Sequence, residues 1–297
     1  MKKTQINKLL DHWVKQNPKQ FKELINWFLM GLDDDRKRAF QHLPNLHKHV
    51  LNSIKKHNNF LYNYLDDDGV ISFPQNKPKT KSNYIGIEVE CFSDLAELEI
   101  LALIVEHKLD RWVDVVGDGS IQTDYGQDYE FRLLVKEKEL VKVLSRFQKL
   151  LKAGKFGVND SCGLHIHIDM RRRNMEQSYN KLIKFQDLLF GMVKDTRHQN
   201  MYCEYVTRFN EMNRYTAINK LAYAKHKTLE VRLHHGTLNT KAIENWINLL
   251  LKIINSESTP KLKDNNSVMA WLGKSKKLKT YVSKTYEPDW KNHEAVW

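Results

Sequence analysis

The sequence predicts an α+β protein: an antiparallel sheet with helices on one face, joined to a helical N-terminal region. Three observations predict it. Four short segments between Tyr84 and His235 alternate apolar and polar residues with the period of half-buried strands. Apolar stripes at helical spacing fall between and after those segments, and further stripes fill residues 3 to 65. With 297 residues and 41% hydrophobic content, the chain can hide roughly 75% of its unfolded surface, enough for an enzymatic core.

In chain order, residues 1–66 come first. Leu9, Leu10, Trp13 and Val14, then Phe21, Ile25, Phe28 and Leu29, recur one helical turn apart, and Leu46, Val50, Leu51, Ile54, Leu61 and Leu65 continue the pattern. No catalytic cluster appears there, so the region reads as a packing or partner-binding accessory. Residues 67–83 turn polar, with Pro74, Pro78 and several lysines, and read as a linker. The run Asp66-Asp67-Asp68-Gly69 lacks calcium-loop spacing, since adjacent aspartates point in different directions, and reads as a solvated turn.

Residues 84–255 carry the strand signal. Tyr84 to Phe92 sets Ile85, Ile87, Val89 and Cys91 against Gly86, Glu88 and Glu90. Tyr129 to Val135 sets Tyr129, Phe131, Leu133 and Val135 against Glu130, Arg132 and Leu134. Leu164 to Asp169 sets Leu164, Ile166 and Ile168 against His165, His167 and Asp169. Leu229 to His235 sets Leu229, Val231 and Leu233 against Glu230, Arg232 and His234. Helices are expected over Leu95 to Leu109, opened by Asp94 and Glu97 as a capping box, and over Leu140 to Leu151, Tyr179 to Val193, Tyr215 to Tyr223 and Ala242 to Ile254. They would cover the apolar side of the sheet and leave its polar side open. Ser256 to Pro260 breaks the last helix, and residues 256–297 read as a short basic tail, packed on the body and ending near Trp290 and Trp297.

The formal net charge of +12 favours acidic partners through long-range attraction. No nucleic-acid motif accompanies it, so a lysine-rich solvated surface and an acidic macromolecular partner both stay open. Cys91, Cys162 and Cys203 are few, odd in number and without metal spacing, which fits a reducing, cytoplasmic compartment. No apolar stretch is long enough to insert in a membrane.

The polar sheet face carries the chemistry. A wet face is ordinarily filled by Thr, Ser, Lys and Gln, whereas these outward positions are mostly Glu, His, Arg and Asp. Crowded carboxylates repel unless a cation lies between them, so a metal site is expected. Oxygen-rich ligands with one or two imidazoles suit Mg²⁺ or Mn²⁺ with nucleotide phosphates better than zinc. There is no Walker loop and no Rossmann glycine pattern, and the cupin pattern fails because Glu176 lies too far from His167.

The ordered set Gly86-Ile87-Glu88-Val89-Glu90, Asp118-Gly119-Ser120 followed by Glu130, Cys162-Gly163-Leu164-His165-Ile166-His167, and Leu229-Glu230-Val231-Arg232 with Gly236-Thr237-Leu238 resembles the amidoligase family, which belongs with glutamine synthetase and glutamate-cysteine ligase. The resemblance implies a glutamine-synthetase-like sheet and an ATP- and Mg²⁺-dependent ligase that joins a carboxylate substrate to an amine substrate through an acyl phosphate. It implies Glu88, His165 and Glu230 around one metal, Glu90 and Glu130 around another, His167 beside the nucleotide, and Arg232 on the transferred phosphoryl group. Arg232 and Glu130 are the expected catalytic residues. Asp118 and Ser120 are expected to bind substrate, or else to form an ordinary turn; Arg208 and Arg214 are expected to meet phosphate or a substrate carboxylate, or else to lie on the surface. Arg171-Arg172-Arg173 reads as a solvated run, or else as steering for an acidic substrate, and Cys162 as a small buried residue rather than a nucleophile. Two alternatives remain at this stage, a metal-dependent nuclease or phosphoesterase and a non-catalytic binding protein on the ligase fold.

Overall fold

The computed structural model describes residues 83–289, apart from Ala96, Asp124, Gln199 and residues 258–263. The expected helical region 1–66, the linker up to residue 82 and the two tryptophans Trp290 and Trp297 lie outside the described residues.

Six strands form one sheet: β1 Tyr84–Ser93, β2 Val113–Val116, β3 Gln127–Lys136, β4 Gly163–Asp169, β5 Ile218–Asn219 and β6 Thr228–His235. Their order is β2-β3-β1-β4-β6-β5, and every neighbouring pair is antiparallel. The α+β class and the four strands anticipated from period two are therefore present. β2 and β5 are additional, and both are edge strands too short to display alternation.

The helices are α1 Glu97–Glu106, α2 Leu140–Ala153, α3 Met175–Lys184, α4 Gln186–Phe190, α5 Ala222–His226, α6 Thr240–Asn255, α7 Asn265–Leu272 and α8 Lys276–Thr285. The stripes of α2 (Val143, Phe147, Leu150) and α6 (Ile243, Trp246, Leu250) are buried in one core with Ile87, Phe131, Ile166 and Val231 from the sheet. Phe131 meets Phe147 edge to face at 5.2 Å. Each such buried side chain contributes about 1.5–3 kcal/mol, and this burial holds the strands in the register that forms the site.

Local chemistry fixes the helix ends. Asn239 caps α6 by accepting from the Lys241 and Ala242 amides, and Lys181 on α3 donates to the carbonyls of Ile254 and Ser256 at its other end. The expected helix at Tyr179 to Val193 is instead α3 and α4, broken at Phe185, with α3 starting earlier under an Asn174 cap. The expected helix at Tyr215 to Tyr223 is a correction. Ile218 and Asn219 pair with β6, and the Asn219 side chain accepts from the Leu221 amide, an alternative that competes with helix formation. α1 ends before Lys108, which is left-handed at φ 56. Beyond Asn255, α7 and α8 form where only a tail was expected, and their Val268, Leu272, Leu278 and Val282 join the main core.

The pairing of β4 with β6 shifts register between Leu164 and Ile166, so β6 carries an extra residue there. Past that bulge the alternation reverses. His234 lies opposite Leu164 and packs against Trp246 on the helix side, at 4.9 Å between ring centroids. The outward strand phase expected for His234, shared with Glu230 and Arg232, is thus reversed by one inserted residue.

Candidate active site

Cross-strand register assembles the polar face. Glu88 on β1 is flanked by Arg132 on β3 and His165 on β4, Glu90 faces Glu130, and His167 faces Glu230, which in turn faces Asn219. These residues line a cleft of about 880 Å³. The loop after β2, carrying Asp118 and Ser120, borders it near one sheet edge, and Arg214, Tyr215 and α5 border it near the other.

The first cluster centres on Glu88. Its Oε2 is 2.9 Å from His165 Nδ1, and its Oε1 is 3.1 Å from His167 Nε2. The other nitrogen of His165 lies 3.4 Å from Glu90, and His167 Nε2 lies 3.8 Å from Glu230. His167 Nε2 is buried and, despite its short approach to Glu88, is not aligned for a hydrogen bond with any group. A buried nitrogen between two carboxylates without a linear bond to either can serve as a ligand to a cation, or pair with them as an imidazolium. Its other nitrogen, Nδ1, is 3.1 Å from the Thr228 hydroxyl, which can fix the ring orientation.

Three neighbouring sets have ligand atoms within 4.8 Å of one another: Glu88, Glu130 and His165; Glu88, His167 and Glu230; and Glu90, Asp118 and Glu130. The oxygen-rich composition fits a hard divalent ion such as Mg²⁺ or Mn²⁺. The grouping differs from the one the resemblance implied. Glu230 is gathered with His167 and Glu88, while His165 sits nearer Glu130, because His167 and Glu230 are direct cross-strand partners.

Electrostatics divides these carboxylates. Burial alone would raise the Glu88 carboxyl, but the charge of His167 and the hydrogen bond and charge of His165 hold it well below the usual range. Glu230 is likewise buried, and Arg232 and His167 outweigh that burial and lower it. Glu130 goes the other way. Burial and the nearby Glu88 charge push it well above the ordinary range, against the pull of Arg132. His167 is raised, because Glu88 and Glu230 outweigh its burial.

Two arginines tie the wall together. Arg132 donates to Glu130 at 2.5 Å, and Arg232 donates to Glu230 at 2.5 Å. Glu230 also accepts from the Asn219 side chain at 2.7 Å, and Glu90 accepts from the Gly163 amide at 2.5 Å. A Cβ on Gly163 would stand 2.9 Å from His165 Nε2, so glycine here lets the backbone reach Glu90 without displacing the imidazole. Arg197, 2% exposed, donates to the carbonyls of Arg232 and Leu233 and so clamps β6 at its bulge.

The remaining expected residues separate. Asp118 accepts from the Ser120 amide and hydroxyl, which makes the segment a turn, and the same turn brings Asp118 to Glu90 and Glu130. Arg214 lines the cleft, whereas Arg208 is exposed outside that lining. The run Arg171-Arg172-Arg173 is not simply solvated: Arg171 makes paired bonds to the fully buried Asp169, and Arg173 bonds Glu137 at 2.7 Å. Asp169 therefore belongs to a structural ion pair at the end of β4, apart from the cleft. Cys162 is buried, which pushes its thiol up and away from nucleophilic use.

Sequence reasoning gave no role to Arg132, Asn219, Thr228 or Arg197. Arg132 did have the outward phase of its strand. Thr228 begins β6 one residue before the alternation becomes visible, and the two-residue β5 and the short turn Asp195–Arg197 carry no periodic signal.

A family model described as "Putative amidoligase enzyme" matches residues 132–209. The matched segment contains His165 and His167, and Glu88, Glu90, Glu130 and Glu230 fall outside it. No curated protein matches the chain.

Proposed function

We infer, from an amidoligase family assignment that the match supports and from the buried carboxylate–imidazole wall, that this chain is a metal- and ATP-dependent ligase joining a carboxylate to an amine. The observation that carries the reading is the convergence on His167, whose Nε2 stands 3.1 Å from Glu88 and 3.8 Å from Glu230 without a linear hydrogen bond. Glu88, Glu230 and His167 would hold one divalent ion, with His165 completing the wall between Glu88 and Glu90. Glu90, Glu130 and Asp118 would hold a second. Bound Mg²⁺ or Mn²⁺ supplies neutralisation of phosphate charge.

A carboxylate is a poor electrophile, so ATP first converts it to an acyl phosphate with release of ADP. Arg232, held on Glu230 and positioned through its backbone by Arg197, offers the remaining guanidinium donors to the phosphoryl oxygens. The amine then attacks the acyl carbon, phosphate leaves, and the amine's proton is taken up. The departing phosphate can carry that proton away, since Glu130 would be engaged as a ligand of the second ion. Ser120, beside Asp118 at the rim of the cleft, would meet the incoming substrate.

The test is ADP and phosphate release that requires Mg²⁺, a carboxylate and an amine together. A folded protein that binds Mg-ATP but yields no ADP with a broad panel of acids and amines would reject the ligase. The adjoining ligand sets sharing Glu130 also suit two-metal phosphodiester hydrolysis. Cleavage of DNA or RNA without ATP would select that second reading.

A further inference from the structure

Among the described residues seven large apolar side chains are exposed, and five of them, Met201, Tyr202, Phe209, Met212 and Tyr215, lie in one segment at the edge of the cleft. Such a concentration of exposed apolar groups marks an interaction surface more than chance does. The segment is held in shape from within. Glu204 receives the side-chain amides of Asn210 and Asn213, the Glu204 amide donates to the Tyr215 carbonyl, and Asn210 also receives the Thr207 amide. Phe209, 84% exposed, is therefore presented outward by an ordered turn.

Two cations accompany the apolar groups. Arg208 lies over the Phe209 ring at 4.6 Å and Arg214 over the Tyr215 ring at 5.3 Å, and among the described residues neither makes an ion pair with a carboxylate. The surface runs into the cleft through Tyr202, Arg214 and Tyr215, and Arg232 donates to the Tyr202 carbonyl at 3.2 Å.

We propose that segment 200–216 docks an acidic peptide and delivers one of its carboxylates to the cleft. The inference rests on the ligase reading and names its acid substrate. Complementary charge comes from Arg208 and Arg214, because the two glutamates of the segment are engaged elsewhere, Glu204 by Asn210 and Asn213 and Glu211 by Lys220. Aromatic, Met and Arg side chains are the types enriched at protein interfaces, and the Met201 and Met212 thioethers adapt to varied apolar neighbours. A single-stranded nucleic acid would need open ring faces for base stacking. Here a cation already lies over one face of the Phe209 ring and one face of the Tyr215 ring, and Tyr202 and Tyr215 meet each other edge to face at 5.7 Å, which favours a peptide over stacked bases.

A photo-crosslinker placed in the full chain by Phe209→p-benzoylphenylalanine, with a fluorescein-labelled Glu/Leu peptide as probe, tests this. The expected result is a crosslink to that peptide and none to its Gln/Leu counterpart, with anisotropy showing at least about tenfold tighter binding of the acidic form. Phe209→Ser with Met212→Ser should weaken peptide binding at least about fivefold while the thermal melting temperature is kept. Preferential crosslinking to an oligo-uridine RNA, to residues 1–82 of the same chain or to a second copy would overturn the proposal, as would equal binding of both peptides. A peptide crosslink without ADP release would leave the docking surface standing and reject the ligase; ADP release on small acids without a peptide crosslink would do the reverse.

Discussion

His167 and His234 sit on facing strands of one sheet, both almost wholly buried, and meet opposite fates. His167 on the polar face has Glu88 and Glu230 within 4 Å, and their charge outweighs its burial and raises it. His234 on the apolar face packs against Trp246, and burial with the neighbouring His235 depresses it to about 3. Its Nδ1 lies 2.7 Å from the His235 carbonyl, an arrangement that suits a neutral ring donating that bond. The lesson is that the side of the sheet sets the chemistry of an imidazole. One face supplies carboxylates that favour a charged ring, and on the other burial among apolar groups keeps the ring neutral.

The sharpest way to break the contrast is to remove the carboxylates. Glu88→Gln or Glu230→Gln should lower ATP turnover at least about 10²-fold, the scale of losing one preorganised electrostatic group. Circular dichroism should show the fold retained, and unchanged turnover would reject the ligand assignment. On the other face, Trp246→Ala removes the largest fully buried side chain among the described residues and the packing partner of His234. It should cost about 3–5 kcal/mol in urea unfolding, whereas a loss under 1 kcal/mol would mean that the face is not the packed core.

Thr228→Val tests the middle ground. It preserves shape but deprives His167 Nδ1 of its hydroxyl partner. Metal affinity measured by calorimetry should fall about 10–100-fold, and an unaltered affinity would show that Thr228 does not orient the ring. Taken per pH unit, the smallest expected change is the pH response of His234. As pH falls through about 6.5 the unfolded chain protonates this histidine while the folded chain, held near 3, does not. Its contribution to stability is therefore complete above about pH 6.5 and declines by about 1.4 kcal/mol per pH unit below it, levelling off near the folded value. His234→Phe should flatten that part of the stability profile, and an identical slope would show that His234 is not held neutral.

Much of the site was legible because strand periodicity is local. Alternation alone placed Glu88, Glu90, Glu130, His165, His167, Glu230 and Arg232 on one face of four strands. The same rule failed at His234, since a single inserted residue in β6 reverses every later side chain and leaves no mark in composition. The arginine run misled for a related reason. A cationic triplet looks solvated until the fully buried Asp169 at the end of β4 is seen to hold Arg171.

By itself, then, the sequence determined the α+β class, the two chemically distinct faces and the inventory of carboxylates, imidazoles and arginine on one of them. These follow from backbone geometry that repeats every two or 3.6 residues. Only the tertiary structure decided which members of that inventory meet. Cross-strand register gathers His167, rather than His165, with Glu88 and Glu230, and edge pairing adds Asn219 from a strand of two residues. Those meetings depend on contacts between residues far apart in the chain, fixed by burial of the helices on the opposite face, and no local pattern encodes them.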